Sequence, residues 1–464
     1  MSAHFRESGS RKSGLSRRPR DNTFGCLIVL PFWSVSYSLS FFYLSLYFRA
    51  CGMTDSQLGI LVTAGAGASI IFSFFAASIV DRMGRKKATL VFDIAGSAVP
   101  LLIFAAQGSF AFALAGTLIA NLAKVMNVGY FLLMSEDSEN GVRASAFNIF
   151  NILTIASGLL VPIVGGFVAQ AGVVKAERIF LFVSAAVMTI AAFGRDRLVN
   201  ETSLGHRLME KRRAGPDRVP GGGLGVGRPA PRTRWLPDWR AMVEPYRMAI
   251  RFIVSSSQAR ASIFANVLFY VYYLVGTNNS LYFAPFFSDA LGLSAPLVSV
   301  IGAIFSGGTL FSMLFLNPFL FRKMGPALCA ALGAALNLLG FIPLIFLRKG
   351  GVFAALGATG AASIGYGMLK SAIDAVLATC FGGQAKATGI DIPEGEEARA
   401  GVYSIANLAS SALGMGAGAL CSLFYAATPR FIPALSVAIL ASISALLFGA
   451  ARPMPQSAFS RRTS

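Results

Sequence analysis

Histidine is nearly missing from this sequence. Only His4 and His206 occur in 464 residues, and both fall in polar stretches. There is no His-Glu-x-x-His pair, no nucleophile elbow and no glycine loop of the kind that cradles phosphate. The five cysteines (Cys26, Cys51, Cys329, Cys380 and Cys421) are odd in number, scattered, and lie in or beside apolar runs. They form neither a metal-ligand spacing nor a disulfide framework. These absences leave an enzyme without a catalytic constellation, and no cofactor or metal is expected. Charge is scarce as well: 13% of residues are charged and 55% hydrophobic, for a mean hydropathy of +0.63. A soluble chain of this length cannot hide so much apolar surface, so a bilayer is the expected solvent.

Base is in surplus. The net charge is +19, from 40 Lys and Arg against 21 Asp and Glu, which at first points to nucleic acid. Position argues otherwise. Twelve apolar runs, the first near 26–48 and the last near 431–450, are mostly close to the ~20 residues that cross a bilayer. Taking the segments between them alternately, 32 of the 40 Lys and Arg fall on one side. The positive-inside rule makes that side cytoplasmic, so a multi-pass protein of the plasma (inner) membrane with N- and C-termini inside is expected. The bases set topology and meet membrane lipids; no nucleic acid is expected as a partner.

The runs divide six and six. A basic tail (1–25) precedes an N-terminal six-helix bundle (26–194), and a second bundle (261–450) precedes a tail (451–464). Between the bundles, 195–260 contains "GPDRVPGGGLGVGRPAPRTRWLPDW", a Gly, Pro and Arg composition expected of a disordered linker. An apolar stripe from Trp239 to Ile253 follows it and predicts an amphipathic surface helix near 238–257. The halves repeat each other in the same orientation. "SFFYLSLYFRACGMT" (40–54) aligns without gaps to "SLYFAPFFSDALGLS" (280–294), "DRMG" to "RKMG", and "RASAFNIFNI" (143–152) to "RAGVYSIANL" (399–408), with Asn151 matched to Asn407. Parallel six-helix repeats predict an all-α membrane protein with its site between the halves.

The loop between the second and third runs, "DRMGRKK", resembles the signature of the major facilitator superfamily (MFS), G-x-x-x-D-R-x-G-R-R/K-x. Asp81, Arg82, Gly84, Arg85 and Lys86 fit, while Ala77 stands at the leading glycine. The resemblance extends from about residue 26 to 450. It implies the MFS fold and transport by alternating access, with protons as a coupling ion. It also implies that Asp81 and Arg85 form a latch with an acid after the fourth run, here Glu136 or Asp137, and with the start of the eleventh. The bases suit the partly negative helix C-terminus, and Gly84 suits a left-handed turn. A loop merely anchored to anionic lipid would explain the bases but not Asp81 or the spacing. In the fifth run "GLLVPIVGG" echoes an antiporter element of the superfamily through Pro162, Gly165 and Gly166. Gly158 opens that stretch and Val161 replaces the usual glycine. A small-residue packing face explains the same residues.

Ionisable and polar groups within the runs are the candidates for touching a substrate. Lys124 lies ~21 Å into the fourth run at 1.5 Å per residue, with Asn121 and Asn127 at i±3. Asn148 and Asn151 form a similar stripe on the fifth. Lys370 and Asp374, at i,i+4, stand on the tenth, either as a neutralising pair or as a site. Asp93, about five residues into the third run, reads as interfacial. In the seventh run Tyr273, Thr277 and Asn278 mark a polar break, "GTNN", and the repeat matches Thr277 to Tyr37, with Trp33 one turn earlier. With Asn407, these line the expected cavity. The leading reading is a secondary active transporter of a small organic solute. Its alternatives are a multidrug or metabolite exporter exchanging with protons, and a non-transporting membrane sensor or scaffold. Deleting 214–235 separates transporter from scaffold: transport survives loss of a linker, whereas a scaffold loses its partner.

Overall fold

Backbone amides in hydrocarbon must find partners within their own segment, and every regular element of the chain is helical among the described residues. The computed structural model describes residues 22–106, 108–137, 140–214, 250, 254, 257–383 and 396–451. The first half comprises α1 (Asn22–Ala50), α2 (Asp55–Met83), α3 (Arg85–Ala106), α4 (Phe110–Ser135), α5 (Ala146–Ala171) and α6 (Val173–Leu198). The second begins with α7 (Ser257–Gly276). A 52-residue apolar stretch, Ala295–Phe346, breaks at Gly325 (φ 75°) into α8 and α9. Then come α10 (Val352–Gly383), α11 (Glu396–Phe424) and α12 (Phe431–Ala451). The helix expected near 238–257 falls almost wholly outside the described residues, as do 1–21 and 452–464. The segment after α6 departs from a plain linker at its start, where a helix forms over Ser203–Ala214.

The internal repeat is written in the backbone. Gly52 and Gly292, matched by the alignment, have φ of 95° and 67°; Gly84 and Gly325 have 86° and 75°. A side chain is disfavoured at each of these four turns. Thr54 caps α2 in a capping box with Gln57, and its repeat partner Ser294 is the N-cap of α8. Both leading helices of the halves are interrupted. The α-helical run in α1 pauses at Phe42–Tyr43, and α7 stops at Gly276, resuming as the short helix Phe283–Asp289.

Within the halves α1 packs on α6, α3 on α4, α9 on α10 and α7 on α12. Two symmetric pairs cross between the halves, α2 with α11 and α5 with α8. Small residues allow the approach. A Cβ added at Gly59 would overlap Ser422, and one at Gly165 or Gly158 would overlap Ser299 or Ser306. Without a hydrophobic drive between helices in lipid, such close packing is what holds them. Ser69 and Ser411 approach at 3.3 Å and Thr63 Oγ1 donates to the Met415 carbonyl at 3.4 Å. These contacts run from the helix ends remote from the α2–α3 loop to mid-membrane. We call the side of that loop the basic face and the other the opposite face.

Candidate functional site

A cavity of about 460 Å³ lies between the halves, walled by α1, α3, α4, α5 and α6 on one side and α7, α8 and α10 on the other. Eight of the residues singled out in the sequence as candidates for touching a substrate line it: Trp33, Tyr37, Asn121, Lys124, Asn127, Tyr273, Asn278 and Lys370. Lys124 and Lys370 come from the fourth helix of each half. No acid lines the cavity among the described residues.

The wall is built from interrupted helices. In α4 the regular helix ends at Ala120 and resumes at Ala123. Three-residue hydrogen bonds bridge the gap, from Lys124 N–H to the Asn121 carbonyl and from Val125 N–H to the Leu122 carbonyl, both 3.0 Å. The Asn121 amide donates to the Thr117 carbonyl at 2.8 Å. Facing this break, α3 widens into a π-turn at Ile94–Ala98. Gly96 within it lies so close to the α4 break that a Cβ would overlap the Ala123 backbone nitrogen. Such π-turns recur at functional sites. On α1, Trp33, Tyr37 and Phe41 form a continuous stack, with centroids 5.4 and 4.9 Å apart and planes within 5° and 14° of parallel. In the α7 break the Asn278 amide donates to Ser306 Oγ at 3.2 Å, and the Asn279 amide to Asn278 Oδ1 at 3.2 Å.

Other candidates stand elsewhere. Thr277 is fully buried and donates to the Tyr273 carbonyl at 2.8 Å. It accepts from Asn279 N–H at 3.3 Å, so it satisfies the broken backbone rather than facing the cavity. Asn148 is exposed and Asn151 half-buried, and neither lines the cavity. The side chains of Asp374 and Asn407 lie outside the described residues. Gly158 lines the cavity edge, Gly165 meets α8, Gly166 faces open space, and Pro162 lies in the first turn of the regular helix Val161–Ala171.

Asp93 corrects the sequence reading. It is 2% exposed, not interfacial. Arg195 of α6 pairs with it at 2.8 Å, and the Trp33 indole and Ser97 hydroxyl donate to it at 3.2 and 3.0 Å. The acid thus fixes two residues of the cavity wall from behind. Glu177 was not singled out at all. Counting the sixth run from Arg178 places it in a loop, whereas α6 begins at Val173 and buries Glu177 completely. Neither carboxyl oxygen has a hydrogen-bond partner among the described residues.

At the basic face Arg85, 2% exposed, pairs with Asp81 at 2.9 Å and with Glu136 at 3.0 Å. Glu201 was missed. Its two oxygens accept the backbone N–H groups of Arg85 and Lys86 at 2.9 and 3.0 Å, capping α3. The Thr202 hydroxyl bonds to Glu136, and Asp137 accepts from Ser203 Oγ at 2.6 Å. Lys86 stands 3.9 Å from Asp196, and Arg82 adds a basic side chain at the end of α2. The capping threonine followed by a helix in "ETSLGH" was the available signal. The expected partner at the start of α11 has side chains outside the described residues.

The opposite face carries a lock between the halves. Arg49 bonds Asp55 of its own half at 3.2 Å and Asp289 of the other at 2.6 Å. Arg49 and Asp289 are matched positions of the repeat, so they meet near the pseudo-twofold axis. The Tyr425 hydroxyl donates to Asp289 at 2.9 Å. Burial, reinforced by that carboxylate, holds the phenol above its ordinary range and so keeps it a donor. The Tyr43 hydroxyl reaches the Ala295 carbonyl across the halves at 2.5 Å.

The comparisons agree with this architecture. Two structures of the nucleoside transporter NupG match at TM-scores of 0.62 and 0.63 (the latter a point mutant of that protein), with 13% and 12% identity. They cover 93% and 92% of this chain and 98% of theirs. Quinolone resistance protein NorA of Staphylococcus aureus is 28% identical over 128 residues, 27% of this chain and 33% of that protein. The chain thus covers about a third of the length of that curated relative. The sequence pattern of the Major Facilitator Superfamily matches residues 25–419, and the chain belongs to that superfamily.

Proposed function

We propose that this protein is a secondary transporter that carries a small organic solute through the membrane by alternating access, coupled to protons. One observation carries the reading: a polar cavity of about 460 Å³ lies where the two halves meet, with both halves supplying its wall. That volume is in the range of small-molecule sites. Family membership supports the same reading. In it, the basic face is cytoplasmic, the bundles 26–194 and 261–450 rock against each other, and the Asp81–Arg85–Glu136 cluster is the inner latch. The contacts of α2 with α11 and α5 with α8, with the Arg49–Asp289 link, close the outer side.

The stretch resembling NorA favours export as the direction, and the Pro162–Gly166 segment is in keeping with it. The test uses proteoliposomes with a trapped pH dye, challenged with sugars, organic acids and lipophilic cations. Solute-dependent acidification of the lumen means symport and alkalinisation means antiport, and Asp81→Asn weakens either. Silence of the dye together with failure of labelled solutes to enter refutes transport and favours a sensor or scaffold.

A further inference from the structure

The wall of the central cavity carries a charge imbalance that points to one class of solute. Its charged lining residues are two lysines, Lys124 and Lys370, and no acid lines it among the described residues; the side chain of Asp374, one turn from Lys370, lies outside them. The buried acid behind the wall, Asp93, is already taken by Arg195 at 2.8 Å. Lys124 has no ion-pair or hydrogen-bond partner for its ammonium among the described residues, while Lys370 makes an interaction of its own. An ammonium held in a low-dielectric cleft without a counter-ion is unfavourable, and a bound anion relieves it. Aromatic surface lies in the same cavity, where Trp33, Tyr37 and Phe41 line the wall as one continuous stack.

We infer that the cavity binds an organic anion carrying a planar ring, its carboxylate or phosphate held by Lys124 and approached by Lys370, and its ring placed against the α1 aromatics. This deepens the transport reading and rests on it. The amides of Asn121, Asn127 and Asn278 supply neutral donors for the remaining anionic oxygens. A lipophilic cation has no counter-charge to meet among these lining residues.

The test compares ring compounds that differ only in the head group, by equilibrium binding to the purified full-length protein and by counterflow in proteoliposomes. The probes are 2-naphthoate against 2-naphthamide and 1-naphthyl phosphate against 1-naphthol, with uridine and tetraphenylphosphonium as a neutral and a cationic solute. The account expects the anion to bind about tenfold or more tightly than its neutral partner. Lys124→Met removes most of that preference, Lys124→Arg retains it, and Lys370→Met reduces it by less. The carboxylate and phosphate pairs show which head group is preferred. Monodisperse elution and an unchanged melting temperature of Lys124→Met separate loss of charge from loss of fold. Equal binding of anion and neutral partner overturns the proposal, as does a preference that survives in a folded Lys124→Met. Counterflow of uridine or tetraphenylphosphonium with none of either anion overturns the anion assignment but leaves transport standing. No counterflow of any probe, with no binding, overturns the transport reading itself.

Discussion

Arg49 is the residue whose loss most directly unbalances the two halves. Its guanidinium bonds Asp289 across the interface at 2.6 Å and Asp55 within its own half at 3.2 Å, and the three side chains are 21–28% exposed. Only the Asp289 bond depends on the halves being together. A hydrogen bond to a charged group is worth about 1.5–3 kcal/mol when shielded, and an exposed ion pair about 0.2–1 kcal/mol. With a quarter of each side chain wet, about 1–2 kcal/mol is the reasonable value for this link. Arg49→Met therefore shifts the ratio of closed to open at this face by a factor of about 5–30. It also leaves Asp55 and Asp289 near one another without their cation, which acts in the same direction. The shift is not complete, because the Tyr43–Ala295 bond and the α5–α8 contact remain. Spin labels at Lys175→Cys and Lys349→Cys, in a background without the natural cysteines, report the separation of the halves by double electron–electron resonance. The longer distance is expected to gain population in Arg49→Met and, less strongly, in Asp289→Asn. A distribution unchanged in Arg49→Met, or moved to shorter distances, refutes the assignment of this cluster as a lock.

At the basic face, Glu136→Ala strips the buried Arg85 of its closest enclosed partner, and breaking a buried pair from one side costs about 3–5 kcal/mol. A clear fall in apparent melting temperature in detergent is expected, with a smaller fall for the double change Arg85→Met with Glu136→Met; equal or additive falls contradict the pairing. Gly158→Ala places a Cβ onto Ser306, and overpacking of this kind costs about 1–3 kcal/mol. Counterflow is expected to drop and to recover when Ser306→Gly is added, and failure to recover argues against this contact as the cause. Glu177→Leu replaces a fully buried carboxyl that has no partner among the described residues. Removing an unsatisfied buried polar group is worth about 1–3 kcal/mol, so the apparent melting temperature is expected to rise by a few degrees; a fall would mean that the carboxyl is satisfied.

Much of the architecture was legible because the bilayer imposes its thickness on each helix. The number of apolar runs, their grouping in sixes and the "GTNN" interruption follow from composition and length alone. The repeat was legible from glycines, since Gly52 with Gly292 and Gly84 with Gly325 sit at turns of positive φ. Lys124 with Asn121 and Asn127 was found because three polar side chains on one helical stripe are improbable against lipid, and all three line the cavity. What escaped depended on which way a helix faces and what comes from far along the chain. Asp93 looked interfacial by depth, yet its counter-charge is Arg195, three helices later. Glu177 was hidden because hydropathy counts a run from its first apolar residues, whereas α6 starts earlier and turns that acid inward. Thr277 shares its stripe with Tyr273, but a hydroxyl beside a broken helix bonds the freed backbone first.

Alternating access through the central cavity is tested most directly by a single thiol placed in its wall. Asn278→Cys, in a background without the natural cysteines, is exposed to a membrane-impermeant thiol reagent added in turn from each side of oriented vesicles. The account predicts labelling from both sides, slowed by a transported solute and biased toward one side when Arg49→Met unlocks the opposite face. Labelling from one side only, indifferent to both solute and lock, would contradict it.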